Sequence, residues 1–413
     1  MDRAEPHAHS KTGYELGVIR RLIFYSLTGL LLAAATQMHA VDVVAPMKVP
    51  LSAEHWHALQ ADSMGPKGEA QFLRKEGFPQ GLMVVKAGSM ALDGLMFRDG
   101  TIEFDFKPLS ADMPGLQFRV SGPEKTPDGE EMYLRMFGEE RASDDGIQYA
   151  PIIHGFMLWN TYPEYQNQAP LVNGWNHIRV VVSGRRMKVY VNRSTEPVLS
   201  VGDLESRSMV GALHLRGPAV FANLVVDPGE NDGLSPQPEI DPTASDSGIV
   251  RHWEMSNLQP IIKKRTPAYS EMPVEKNAWR YVDTERGGLL NLNRQYTMGD
   301  DPASLGWLRF NVSAKKNEVR RVSMGWIGHA WVFVNGKMLT AGENFYEPEN
   351  ERRDPDGRMS FANASFDIPL QKGSNEIAIA LFASVHDDLR TRTKYGWGIM
   401  MRFAQAGGLI LSR

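Results

Sequence analysis

Short runs in which apolar and polar residues alternate recur along the chain from about residue 41 onward, separated by Gly, Pro, Asn and Asp. The clearest is residues 101–107 (TIEFDFK), in which three apolar residues alternate with three charged ones. Because successive side chains of a strand point to opposite faces, one face of this strand is predicted to be buried. Long stretches of helical periodicity are scarce, so the pattern predicts an all-β protein of the sandwich or barrel type.

The strand pattern divides into two parts. A β-hairpin is predicted over residues 175–192, where two β-branched runs flank Ser183-Gly184-Arg185. Further strands are predicted at residues 307–312, 330–336 and 375–382. Between the two parts, residues 229–247 contain Pro, Gly, Asp and Ser and almost nothing apolar, which is typical of a semi-stiff linker. We therefore predict two β-sandwich domains, at residues 41–228 and 248–413, joined by this Pro-rich linker.

The N-terminal segment has the features of an export signal. Arg20 and Arg21 precede an apolar and small-residue run, Leu22 to Ala35, that ends in three alanines suited to a signal peptidase. The run is shorter than the roughly 20 apolar residues of a comfortable membrane span, so cleavage is favoured over anchoring. We assign residues 1–40 to a signal peptide with a polar N-terminal extension and expect a periplasmic or secreted protein. A membrane is expected as a partner only through this segment, if it is uncleaved.

Composition narrows the function. A chain of 413 residues exceeds the size of one ordinary hydrophobic core, in agreement with two domains. The formal net charge of −4 supplies no overall positive field, so nucleic acid is not an expected partner. With no cysteine, disulfides, thiol nucleophiles and Cys-ligated zinc are excluded. No cofactor and no metal ligand set is predicted, and motifs for serine hydrolases, phosphate loops and zinc helices are missing from the sequence.

Two neighbouring predicted strands carry polar side chains at alternate positions. Gln117 and Arg119 lie on the first strand, and Glu131, Tyr133 and Arg135 lie on the second. If the strands pair, these groups converge on one open face. Guanidinium forks and amides bond sugar hydroxyls or a uronate, and an aromatic ring supplies an apolar platform, so the set predicts a glycan groove. The alternative is a solvated face with an Arg–Glu pair.

Aromatic residues are concentrated between residues 144 and 165, among Asn, Gln, Pro and Gly residues that favour a loop-rich rim over a core strand. The residues predicted to contact a sugar from this rim are Gln148, Tyr149, Trp159 and Tyr162. His154 is a candidate proton shuttle, because histidine titrates near neutral pH, and a packed structural histidine is the alternative.

Four sequence segments of the first half are similar to segments of a known superfamily: FRDGTIEFDF (97–106), GLQFR (115–119), WNHIRVVV (175–182) and GALHLRGPAVFANLV (211–225). Together they resemble the concanavalin A-like lectin/glucanase superfamily, in its laminin-G-like branch. The second half, with VFVNGK (332–337) and LQKGSNEI (370–377), is similar to galactose-binding-like jelly-roll domains appended to glycoside hydrolases. The resemblance implies two jelly-roll sandwiches in a secreted protein whose partner is a poly- or oligosaccharide.

The resemblance also bears on catalysis and on calcium. Laminarinase-like members of the superfamily carry Glu-x-Asp-x-x-Glu on one strand; here Glu103 and Asp105 match, but Pro108 stands where the acid is needed. Jelly rolls often hold a structural calcium ion, and the turn Asp354-Pro-Asp-Gly357 is the place to expect one. An acidic turn is more often a solvated loop.

We therefore predict a protein that recognises a glycan in a groove of the first sandwich. One alternative is a glycan-cleaving enzyme, either a polysaccharide lyase using His154 and Tyr149 or a glycoside hydrolase using Glu131 with a second carboxylate. Another alternative is a structural or adhesive envelope protein. Accessible aromatic residues favour binding, an accessible acid–base pair favours cleavage, and a face covered by the other domain favours the structural role.

Overall fold

The structure is a computed structural model that describes residues 45–61, 65–137, 145–260, 265–296, 303–346, 354–384 and 396–412. The predicted signal peptide lies outside the described residues. Strands dominate the described part of the chain and pair antiparallel into sheets, which confirms the all-β prediction. In the same residues, no helix is long and apolar enough to cross a membrane.

The first half contributes two sheets. Its strands are β1 (Met47–Lys48), β2 (Trp56–Ala58), β3 (Glu69–Lys75), β4 (Phe78–Ala87), β5 (Ser89–Leu92), β6 (Gly100–Pro108), β7 (Gly115–Ser121), β8 (Asp128–Leu134), β9 (Ile147–Ile153), β10 (Phe156–Met157), β11 (Gln166–Asn167), β12 (Asn176–Ser183), β13 (Arg186–Val191), β14 (Leu199–Val201), β15 (Ala212–Arg216) and β16 (Ala219–Pro228). Sheet I has the order β14-β13-β12-β6-β16-β4-β3, with β1 also on β16. Sheet II has the order β10-β9-β8-β7-β15-β5-β2, with β11 also on β9.

Sheets I and II pack face to face around a shared hydrophobic core. The apolar side chains of β6, Ile102, Phe104 and Phe106, are at most 1% exposed, as the alternation predicts. On sheet II, Phe118 meets Phe97 edge to face, with ring centroids 6.2 Å apart. The predicted hairpin is also confirmed, as β12 and β13 joined by a two-residue turn.

The second half contributes two more sheets. Its strands are β17 (His252–Ser256), β18 (Gln259–Pro260), β19 (Trp279–Asp283), β20 (Leu290–Asn291), β21 (Ala303–Ala314), β22 (Glu318–Trp326), β23 (Gly328–Val334), β24 (Lys337–Asn344), β25 (Ala364–Leu370), β26 (Gly373–Ser384), β27 (Gly398–Phe403) and β28 (Leu409–Ser412). Sheet III has the order β19-β17-β21-β26-β23-β24, with β18 and β28 also on β21, and sheet IV has the order β20-β27-β22-β25. A helix α1 (Leu292–Gln295) and three short 3-10 turns, Tyr269–Glu271, Lys276–Ala278 and Arg286–Gly288, lie between strands.

A second hydrophobic core lies between sheets III and IV. Its tryptophans include Trp253, Trp326 and Trp397, which are all buried. The first core extends beyond the predicted linker, because it includes Leu289 and Ile327 of the second half. The two sandwiches therefore pack directly against each other, and this junction determines which faces of the first sandwich reach solvent.

Candidate functional site

The outer face of sheet II, away from its core, carries two cross-strand series of residues, most of them polar, which we call the polar rows. In the first row, His57, Ala91, His214, Gln117 and Glu131 lie opposite one another on successive strands. The second row, one residue pair further along each strand, consists of Arg216, Gly115, Tyr133 and Gln148. The register thus brings together four residues that the sequence assigned to the site, from three different strands.

The first row is connected by hydrogen bonds. Gln117 Nε2 donates to Glu131 Oε2 at 3.2 Å, so the other end of the amide, Oε1, accepts from His214 Nδ1 at 3.0 Å. Arg216 Nη1 lies 2.7 Å from Glu131 Oε1 and neutralises this fully buried carboxylate. Burial, with the positive charge of His57 as a lesser cause, lowers the pKa of His214 to about 4. The His214 ring is therefore neutral near pH 7, and the tautomer with its proton on Nδ1 donates to the amide oxygen.

The second row is connected in the same way. Tyr133 donates its hydroxyl proton to Gln148 Oε1 at 2.7 Å, and Arg135 Nη2 donates to the same oxygen at 2.6 Å. The Arg135 guanidinium also lies over the Tyr133 ring, 5.1 Å from its centroid, and 6.0 Å from the ring of Trp159. Burial raises the pKa of Tyr133 well above its ordinary value, so the hydroxyl remains a donor.

The polar rows are open to solvent at one end only. His57 and its partner Asp93, 2.7 Å away, have side chains that are 57% and 52% exposed. At the other end, Tyr346 of the second sandwich packs edge to face on Trp159, with centroids 4.9 Å apart, and Arg358 lies over the same ring.

The second sandwich covers this end of the face. The predicted site residues in and beside the rows are all buried: Gln117, Glu131, Tyr133, Arg135, Gln148 and Trp159. The expectation of an open groove over all of them is wrong, because Met157 and Trp159 of the first sandwich pack with Tyr133, and Tyr346 of the second sandwich packs against this cluster. Their part in binding stays a prediction.

Arg119 does not lie on this face, and its assignment to the groove is wrong. Its backbone has φ of +54°, and the pairing of β7 with β8 shifts register beyond Phe118. This irregularity turns the side chain inward, where it is fully buried. There it donates to the carbonyl oxygens of Arg98 and Gly184, at 2.7 and 2.8 Å, and to Asp99 at 2.7 Å. Arg119 therefore joins the end of sheet II to loops of sheet I.

Tyr149 points into the core of the first sandwich, so the expected contact with a sugar is also wrong for this residue. Its hydroxyl donates to Glu130 Oε2 at 2.6 Å and accepts from the backbone amide of Glu205 at 2.7 Å. Burial raises the pKa of Glu130 to about 7, although the bond from Tyr149 opposes the shift. This buried pair lies on the opposite side of sheet II from the polar rows.

His154 and Tyr162 lie at the junction between the sandwiches. His154 Nδ1 is 3.0 Å from the carbonyl oxygen of Asn293, and the ring is half-buried. Tyr162 is buried, donates to Glu285 Oε2 at 2.6 Å and accepts from Asn291 Nδ2 at 2.9 Å. Both side chains thus bind groups of the second sandwich. The structure does not bring His154 and Tyr149 together as the acid–base pair of the lyase alternative.

Three polar members of the rows were missed by the sequence analysis: His57, His214 and Arg216. The signal for two of them was present in residues 212–216 (ALHLR), where His and Arg alternate with buried leucines. Only the fold shows that β15 lies beside β7, so that these residues join Gln117 and Glu131.

The other candidate catalytic and metal-binding residues lie away from the polar rows. Glu103 and Asp105 lie on the outer face of sheet I, where His177 is 2.8 Å from Asp105 and Arg179 is 3.2 Å from Glu103. The Asp354–Gly357 turn is described, whereas the acidic residues just before it lie outside the described residues. Within the described part of the chain, no three His, Asp or Glu side chains are grouped so as to hold a metal ion.

Comparison with known proteins gives only distant similarities. No protein-family model and no curated protein matches the chain. Among solved structures, it is similar to a protein of unknown function with a galectin-like fold from Bacillus subtilis, with 14% identity over 42% of this chain and 89% of that one and a TM-score of 0.29. A family 66 carbohydrate-binding module from Bacillus subtilis has 18% identity over 41% and 93% of the two chains and a TM-score of 0.26. A Bacillus licheniformis beta-glucanase has 11% identity over 46% and 100%, with a TM-score of 0.28. Similarity at this level does not assign an activity, so the function is argued from the residues.

Proposed function

We propose that the protein binds an oligosaccharide or polysaccharide on the outer face of sheet II, at the end of the polar rows that reaches the surface at His57. The observation that carries the proposal is the continuous network of imidazole, amide, carboxylate and guanidinium groups across neighbouring strands. At the end of this row the exposed pair His57 and Asp93 can donate to and accept from sugar hydroxyls, while the network behind the pair is buried. Because each side chain is held by the next, little rotational freedom is left to lose on binding.

The chemistry of the face favours recognition over a purely structural role. A sheet face that only packs against another domain is most easily stabilised by apolar side chains, since burying charge has a high desolvation cost. Sheet II instead buries the Glu131–Arg216 ion pair beside a neutral histidine and an amide. The structural alternative applies to the other end of the rows, where Trp159 packs against Tyr346.

The geometry favours binding over cleavage. Glu131, the candidate catalytic carboxylate, is fully buried and bonded to both Gln117 and Arg216, so it is not available as a nucleophile or acid in this arrangement. The candidate base Tyr149 lies in the core, and His154 binds a backbone carbonyl of the second sandwich. The proposed function is therefore recognition of a glycan.

The proposal is tested by affinity gel electrophoresis of the whole chain in gels that contain neutral or uronate-rich polysaccharides. His57→Ala removes the exposed end of the row. Arg216→Lys keeps the charge beside Glu131 but removes the planar fork. Each substitution is expected to weaken retardation by about tenfold or more. The matched control is His177→Ala, which removes a similarly exposed histidine, 2.8 Å from Asp105, on the opposite sheet.

Equal retardation of all four proteins, or no retardation of the wild type by any polysaccharide, would reject the proposal. The same mixtures are assayed for new reducing ends and for the ultraviolet absorbance of unsaturated uronate ends. Detection of either product would show that the protein cleaves the polysaccharide, and the proposal of binding alone would then be rejected.

Export of the protein is part of the same proposal, because polysaccharides of this kind are met outside the cytoplasm. The supporting feature is the run Leu22–Ala35 after Arg20 and Arg21. N-terminal sequencing of the protein purified from the cell envelope or medium should find a start shortly after residue 35 or 40. A start at Met1 in the cytoplasm would contradict export.

A further inference from the structure

The outer face of sheet III carries a second set of side chains suited to a sugar, independent of the polar rows. Trp279 and Tyr281 are two residues apart on β19, the terminal strand of the described sheet, and therefore share a face. Across the sheet, Tyr281 lies opposite Glu254, and Glu254 lies opposite Arg309. Together with Glu376 on β26, these residues are called the Tyr281 platform.

The platform is held together by contacts among its own members. Arg309 Nε donates to Glu254, and Arg309 Nη1 lies 3.8 Å from Glu376. The guanidinium also stacks on Trp279, 4.0 Å from the ring centroid. A hydrogen bond to Glu254, together with the charge of that carboxylate, raises the pKa of Tyr281 above its ordinary value. The aromatic and charged groups are thus fixed relative to one another before any ligand arrives.

In contrast to the polar rows, the platform is accessible. Tyr281 is 70% exposed, and the side chains of Arg309 and Glu254 are 24% and 21% exposed. A sugar ring has an apolar face that packs on an aromatic ring and a rim of hydroxyls that bond to carboxylates and guanidinium groups. The exposed tyrosine and the adjacent ion pair provide these two kinds of contact side by side.

The charges on this face indicate which sugars fit. Among the described residues of the platform, the carboxylates of Glu254 and Glu376 share the one guanidinium of Arg309, and next to Tyr281 the carboxylate of Asp283 lies 2.6 Å from His252. An excess of negative charge repels uronates and sulfated sugars. We propose that the Tyr281 platform is a carbohydrate-binding site of the second sandwich, and that its ligand is a neutral sugar residue of an oligo- or polysaccharide.

The test is affinity electrophoresis of the whole chain in a neutral glucan, a galactan, a xylan and a uronate-rich polysaccharide. Tyr281→Ala is expected to lower retardation by at least one neutral polysaccharide by about tenfold, because the stacking surface is lost. Tyr281→Phe keeps the ring and should retain most of the retardation. Trp175→Ala, which removes a 40% exposed tryptophan of the first sandwich, is the matched control and should bind like the wild type.

The outcomes separate this site from the polar rows. Loss of neutral-sugar binding in Tyr281→Ala with normal binding in His57→Ala supports the platform, even if the rows bind nothing. Unchanged binding in Tyr281→Ala, or no binding of any neutral polysaccharide by the wild type, overturns the proposal. Light scattering adds a further check: a dimer that dissociates on Tyr281→Ala would make the platform an interface between two copies and would also overturn it.

Discussion

The outer faces of sheets II and III carry similar chemistry but have different surroundings. Each presents a tyrosine, a glutamate and an arginine: Tyr133 and Glu131 lie on β8 with Arg216 two strands away on β15, and Tyr281, Glu254 and Arg309 lie on three successive strands. On sheet II the tyrosine is 1% exposed, and on sheet III it is 70% exposed. The side chains that look alike in the sequence therefore form a buried network in one sandwich and an accessible platform in the other. The difference lies in what packs on the face, and it predicts different responses to the same substitutions.

The largest effect is expected from Arg119→Met, because this arginine joins the two sheets of the first sandwich from inside. Its removal leaves the carbonyl oxygens of Arg98 and Gly184 without their donor and Asp99 without its charge partner. We expect a loss of about 3–5 kcal/mol in the free energy of unfolding. Urea denaturation is the measurement. The control, Arg179→Met on the exposed face of sheet I, should cost less than about 1 kcal/mol. A similar small cost for Arg119→Met would refute the structural role.

An effect of intermediate size is expected from the ionisation of Glu130, which makes the free energy of unfolding depend on pH. Burial raises its folded-state pKa to about 7 from the ordinary 4.5, so between these two pH values the folded protein binds more protons than the unfolded chain. Stability contributed by this group is therefore present below about pH 4.5 and is lost as the pH rises through about 7, by roughly 3 kcal/mol in total.

Urea denaturation at several pH values between 5 and 8 measures this loss of unfolding free energy, and the Glu130→Gln variant is the comparison. Glutamine cannot ionise but can still accept from Tyr149, so the variant should show a flatter pH profile than the wild type. Identical profiles would show that Glu130 does not titrate in this range.

The smallest effects come from a matched pair of tyrosine substitutions. Tyr133→Phe removes a buried hydroxyl that donates to Gln148 and accepts from Arg135 at 3.1 Å, and we expect it to cost about 1–2 kcal/mol. Tyr281→Phe removes an exposed hydroxyl and should change stability by less than about 0.5 kcal/mol. Thermal and urea melts of both variants provide the comparison. Equal costs would mean that the two faces are covered to the same extent.

Many of the strands could be predicted from local sequence patterns, because strand alternation depends on residues two positions apart. The β6 strand and the β12–β13 hairpin occur where the pattern predicts them. The placement of Gln117, Glu131 and Tyr133 on one face also followed from alternation, whereas Gln148, expected on a loop-rich rim, lies beside them on the buried strand β9. Arg119 does not follow the alternation, because a register shift between β7 and β8 reverses the direction of its side chain. Nothing in the sequence GLQFRVS indicates that shift.

Local periodicity thus determined which residues form strands and which side of each strand is apolar, since both depend on near neighbours in the chain. Neighbours in space determined the rest. The pairing of β15 with β7 brought His214 and Arg216 to the polar rows, and the packing of Tyr346 on Trp159 covered one end of them. Burial by a segment nearly two hundred residues away has no signature in the strand it covers, because an outward-facing polar residue has the same sequence pattern beside water as beside another domain.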